Sequence, residues 1–187
     1  MKKMKRFVAV LLTGVMALTM LTACGSGKFI ERNAKLEGAY SLLMEVLAKT
    51  TGESATIEND AIDSIIEKYA REISKKPGEY IAAYAAHVAN DDEEAAKLYS
   101  ELQDKLTSEC AAAIGKESLN AAMIISDGTQ SVDEQIKAVV EALLASVTPT
   151  NDAKITVSYC VRVYHVTNPA KSSDSAWVAF LVVNRGE

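Results

Sequence analysis

Near residue 154 the apolar spacing of the chain changes from the helical three-to-four to two, and this change constrains the fold more than any other feature. In "KITVSYCVRVYHV" (154–166), Ile155, Val157, Tyr159, Val161 and Val163 fall on one face, as in a strand with one side buried. "AWVAFLVV" (176–183) is apolar at both parities, so it reads as a strand covered on both faces. The intervening "TNPAKSSDS" is made of turn formers, and the three pieces predict a β-hairpin whose second strand lies inside a sheet.

Upstream the period is helical. Leu36, Tyr40, Leu43 and Leu47 predict one helix, ended by Gly52; Ile62, Ile65, Ile66, Tyr69 and Ile73 predict a second, ended by Pro77. Tyr80 to Val88 is Ala-rich and helical. Asn90 with "DDEE" then reads as a cap and an acidic first turn, complementing the helix dipole, for a helix with the stripe Ala95, Leu98, Leu102, Leu106, Cys110 and Ala113. Ser131 and Glu134 stand at capping-box spacing ahead of Ile136, Val139, Val140, Leu143 and Leu144. "LNAAMIIS" fits a short strand or a helix end, and periodicity does not choose between them. The expected class is α+β, with N-terminal helices followed by a C-terminal hairpin.

The first residues read as an export signal. Lys2, Lys3, Lys5 and Arg6 precede an apolar run, Phe7 to Leu21, of 15 residues, which is short for a membrane span. Leu21-Thr22-Ala23-Cys24 resembles the lipobox of bacterial lipoproteins. That resemblance implies removal of residues 1–23 as a signal peptide, a diacylglyceryl group on the Cys24 sulfur, and a lipid-anchored protein on the extracytoplasmic side of a bacterial membrane. Residues 24–30 form the lipidated cysteine and a short tether beginning Gly25-Ser26-Gly27, leaving 31–187 as a single domain. Loss of the signal lowers Lys plus Arg from 20 to 16 against an unchanged 25 Asp and Glu, so the formal charge falls from −5 to −9. A chain of that charge is not expected to seek nucleic acid.

Three constellations could carry chemistry. Asp127, Thr129 and Ser131 in "DGTQS" superficially resemble the D-x-[ST]-x-S metal motif of von Willebrand factor A domains. The chain remaining after them is too short for that fold, so a turn and an N-cap are expected instead. Once Cys24 is lipidated, Cys110 and Cys160 are the remaining thiols. A disulfide between them would close a loop of about 50 residues and add roughly 4 kcal/mol in the chain-entropy model, whereas a reduced Cys110 would serve as a small hydrophobe on its stripe; both readings stay open. His87 and His165 have no partner at metal-ligand spacing, and no Ser or Cys sits in a nucleophile elbow. No metal or cofactor is expected.

From Leu43 to Asn184 the order of elements resembles a divergent domain of the CAP superfamily, the fold of cysteine-rich secretory and pathogenesis-related proteins. Gly52 and the run Ile62, Ile66, Ala70 match the family's opening helices. "SLNAAMIISDGTQSVDEQIKAVVEALLAS" is similar to its "GENIA" element and following helix, and "KITVSYCVRVYHV" with "AWVAFLVV" to its closing strands. The resemblance implies an α-β-α sandwich, with the strands in one sheet between helical layers. It argues against the family's site of two histidines and two acids: His87 reaches the first histidine position only with an insertion after Ala70, Leu119 replaces the glutamate of the "GEN" element, and "SVTPTNDA" supplies no second histidine. The expected function is therefore a membrane-anchored, non-catalytic binding or interaction module that uses a groove or an exposed sheet edge to contact an envelope component or a protein ligand. The alternative is an envelope-associated hydrolase with His87 as general base.

Overall fold

The computed structural model describes residues 29–90, 92–116, 118–146 and 155–186. The expected signal peptide, Cys24 and most of the expected tether fall on residues 1–28, outside the described residues. The chain runs β1 (Ile30–Arg32), α1 (Ala34–Thr51), β2 (Gly52–Thr56), α2 (Asp60–Ser74), α3 (Pro77–Ala89), α4 (Glu93–Ile114), β3 (Leu119–Asp127), α5 (Val132–Ser146), β4 (Ile155–Asn168) and β5 (Lys171–Gly186). The class is α+β, and the expected order is corrected, because three strands precede the hairpin. β1 has three residues, too few to display a period, and β2, "GESAT", carries no apolar alternation. "LNAAMIIS" resolves as strand β3, with Leu119, Ala121, Met123 and Ile125 buried at alternate positions.

One sheet holds the strands in the order β1-β4-β5-β3, with β2 also paired to β4. β4 and β5 pair antiparallel and β5 and β3 antiparallel, whereas β2 lies parallel to β4. The apolar parity of β5 explains its place. Ala176, Val178, Phe180 and Val182 pack with Ile62, Ile66 and Ile73 of α2, Tyr80 and Ala83 of α3, and Leu102, Leu106 and Cys110 of α4. Trp177 and Ala179 face the other way, with Leu36, Ala39 and Tyr40 of α1 and Ile136 and Val139 of α5. The sheet thus has helices on both faces, each burying an amphipathic stripe.

Local chemistry sets the helix ends. Asn59 caps α2, its Oδ1 accepting from Ala61 N at 2.9 Å and Ile62 N at 3.2 Å. The cap of α4 is Asp92, whose Oδ1 accepts from Ala95 N at 2.9 Å. Asn90, expected there, instead closes α3 in the left-handed region at φ 53°, a conformation that Asn tolerates. The stripe of α4 accordingly begins at Ala96 and Tyr99 rather than Ala95 and Leu98. Pro77 opens α3, where its missing N–H costs nothing. The Asp174 carboxylate of β5 accepts from Gly78 N at 2.9 Å and so caps that helix from outside.

Candidate functional site

The outer edge of β4 meets two different strands. β2 pairs parallel with Ile155 to Tyr159, and β1 pairs antiparallel with Tyr164 to Val166. Between them side chains replace a strand. Glu37 Oε1 accepts from Val163 N at 3.1 Å, and Arg162 Nη1 donates to Val161 O at 2.9 Å. Asn33 N and Ile57 N close the two sides of the gap on Val163 O at 2.8 Å and Tyr159 O at 2.6 Å.

Here a cleft of about 560 Å³ opens, lined among others by Arg32, Thr56, Glu58, Asp60, Asp63 and Arg162. Its two guanidinium groups are each matched by a carboxylate. Arg32 donates from Nε and Nη2 to Glu37 at 2.7 and 2.8 Å, a two-point contact that fixes both planes. Arg162 Nη2 donates to Asp63 Oδ2 at 3.0 Å. Its Nε lies 2.8 Å from Asp63 Oδ1, but the two are not aligned for a hydrogen bond, so this second contact is an ion pair without a directed bond. Burial is the largest single influence and opposes the charge on Arg162, but the Asp63 hydrogen bond and the nearby Cys160 and Asp63 charges together hold the guanidinium above its ordinary value. With those pairs closed, the exposed carboxylates of Glu58 and Asp60 make no ion pair among the described residues, so the uncompensated charge of the lining is negative.

Of the residues singled out in the sequence as candidates for chemistry, Cys160 lines this cleft and the two histidines do not. His87 is exposed on α3, with its ring 4.6 Å from that of Tyr99. His165 lies on the opposite face of the sheet, its ring 4.6 Å from Trp177 and its Nε2 3.1 Å from Gly128 O. A site that uses both histidines is therefore not built. Among the described residues no group of three or more His, Cys, Asp or Glu is placed to hold a metal ion. Asp127 Oδ1 accepts from Thr129 N and Oγ1, both at 2.8 Å, and Ser131 and Glu134 bond reciprocally at 2.7 and 3.3 Å. "DGTQS" is thus a turn followed by a capping box.

Cys110 and Cys160 are both buried and free, so the disulfide left open by the sequence is not formed. Cys110 rides on α4 and Cys160 on β4, both within the cluster on one face of the sheet. Cys160 borders the cleft, and burial pushes its thiol up to about 11, which removes it as a nucleophile near neutral pH.

Part of the sheet edge is occupied within the domain itself. On the outer rim of β3, the Tyr99 hydroxyl donates to Met123 O at 2.7 Å and accepts from Met123 N at 3.4 Å. The Thr107 hydroxyl does the same for Ala121 at 3.3 and 3.2 Å. Those groups of Ala121 and Met123 are unavailable to an added strand. No family model, curated protein or solved structure matches the chain.

Proposed function

We propose that this chain is a lipid-anchored lipoprotein on the extracytoplasmic side of a bacterial membrane, with a non-catalytic binding domain that takes an envelope component or protein ligand in the cleft between β1 and β2. Leu21-Thr22-Ala23-Cys24 supports the address. The observation that carries the binding reading is the cleft lining. Both of its guanidinium groups are fixed by carboxylates, and two exposed acids stand free at its rim. Such a surface can orient a polar or charged ligand, and the histidine considered as general base lies away from it, on α3. A CAP-like fold is supported by the sheet lying between helical layers. Among the described residues the ring contact of His87 is with Tyr99, which lends the hydrolase alternative no support from that histidine.

Two measurements test this reading. Intact mass of the membrane-extracted protein should give a chain starting at Cys24 with a diacylglyceryl group; a different start, or no such mass, refutes the address. A partner cross-linked to the full-length protein in its own membranes should be lost from a Glu58→Lys, Asp60→Lys double variant. Undiminished capture would remove the cleft from the proposal.

A further inference from the structure

We infer that the pole of the domain bearing Phe29 and the β4–β5 turn rests on the bilayer, with lipid as the apolar partner of the Phe29 ring. This rests on the lipidation of Cys24 proposed above. Among the described residues two large apolar side chains are left exposed, Phe29 at 49% and Val88 at 63%. The Phe29 backbone is fixed to the sheet, its carbonyl accepting from Thr167 N at 2.8 Å, so the ring is presented by the end of the domain itself.

Four residues, Gly25 to Lys28, separate Cys24 from Phe29. Even fully extended, the five intervening steps cover at most about 18 Å, which bounds the distance of Phe29 from the acylated sulfur. The same pole gathers further segments. Asn168 Nδ2 donates to Lys75 O at 3.1 Å, joining the β4–β5 turn to the α2–α3 junction, and Ala170 and Lys171 are exposed beside it. The opposite pole holds Lys116 and Ser118, the latter bonded to Asn184 at 2.9 Å. From Ala176 at the first pole to Asn184 at the second, β5 spans about 26 Å at roughly 3.3 Å per residue. The tether is shorter than the domain is tall, so it brings the Phe29 pole to the membrane and not the other. Val88 is no competitor, since it lies about 16 Å along the axis of α3 from Pro77, which is held at the Phe29 pole. Lys75 and Lys76 at this pole are paired with Glu72 and Glu79, so the contact offered by the Phe29 ring is apolar.

The test uses the full lipidated chain in phosphatidylcholine vesicles that contain lipids brominated in their acyl chains, with a fluorophore at Ala170→Cys or at Lys116→Cys. The buried Cys110 and Cys160 stay unlabelled. Quenching several-fold stronger at position 170 than at 116, reduced by Phe29→Ser without release of the protein, is expected. Equal quenching at the two positions, or stronger quenching at 116, in a protein that floats with the vesicles overturns this orientation and leaves the lipidation standing. A protein that does not float and lacks the diacylglyceryl mass overturns the lipidation, and the orientation with it.

Discussion

Glu37 Oε1 accepts both the Val163 amide at 3.1 Å and Arg32 Nε at 2.7 Å, and Oε2 accepts from Arg32 Nη2 at 2.8 Å, so one acid both ends a strand pairing and anchors a guanidinium. Glu37→Ala leaves a main-chain donor and a cation without their acceptor, and a loss of about 1–3 kcal/mol is expected. Glu37→Gln retains an oxygen for Val163 and should lose less. Urea unfolding of both variants checks the order; equal losses would mean that the charge alone matters.

Tyr99→Phe removes the hydroxyl that serves both main-chain groups of Met123. The ring still fills its place, so the expected cost is that of two buried groups left unpaired, about 1–3 kcal/mol, with an unchanged denaturant slope. A variant as stable as the parent would show that water replaces the hydroxyl at this rim.

Gly128 is required by close approach. A Cβ there would stand 2.5 Å from the Ser175 carbonyl carbon and 2.6 Å from Ala176 N, both main-chain atoms of β5. Gly128→Ala should therefore destabilise by about 1–3 kcal/mol and displace the loop. The indole N–H of Trp177, which donates to Gln130 O at 2.9 Å, reports that displacement as a changed proton resonance. An unmoved indole signal would count against the clash.

Burial pushes the phenols of Tyr40, Tyr69 and Tyr80 up to about 12. The folded state therefore holds these protons more tightly than the unfolded chain, whose tyrosines titrate near 10. Their stabilising contribution is complete below pH 10 and is lost as pH rises from about 10 to about 12. Thermal melts between pH 8 and 11, followed by tyrosinate absorbance, should show falling stability, with ionisation of these phenols coinciding with unfolding. Tyrosinate formation in the intact fold near pH 10 would contradict this.

Burial likewise pushes the Cys110 and Cys160 thiols up to about 11. At pH 8 neither should react with a soluble alkylating agent until denaturant is added, after which peptide mapping should find both modified. A recovered peptide pair two hydrogens lighter than the free thiols would establish the disulfide instead.

The helical stripes and the hairpin were legible because each repeats a period over many residues, as Ile62, Ile66, Tyr69 and Ile73 do, and both parities of β5 told of two covered faces. β1 and β2 were illegible because their place depends on pairing with β4, more than a hundred residues later, and not on their own pattern. The cleft was hidden for a related reason. Arg32, Glu37, Asp63 and Arg162 come from four elements or loops with no shared spacing. One signal was present: Arg162 shares a parity with Cys160, Tyr164 and Val166, and a charged residue on a covered strand face demands a partner. That demand names no partner, so Asp63 could be found only from the structure.

The hydroxyls of Tyr99 and Thr107 also bear on how this chain could fail. A growing fibril recruits a segment through its unpaired main-chain groups. On β3 those groups at Ala121 and Met123 become free only when α4 lifts away, taking Leu102, Leu106 and Cys110 out of the core. Seeding from this segment is therefore tied to a large, rare opening rather than to fraying of a loop, and its rate should follow the stability of α4 rather than the β-propensity of "LNAAMIISD".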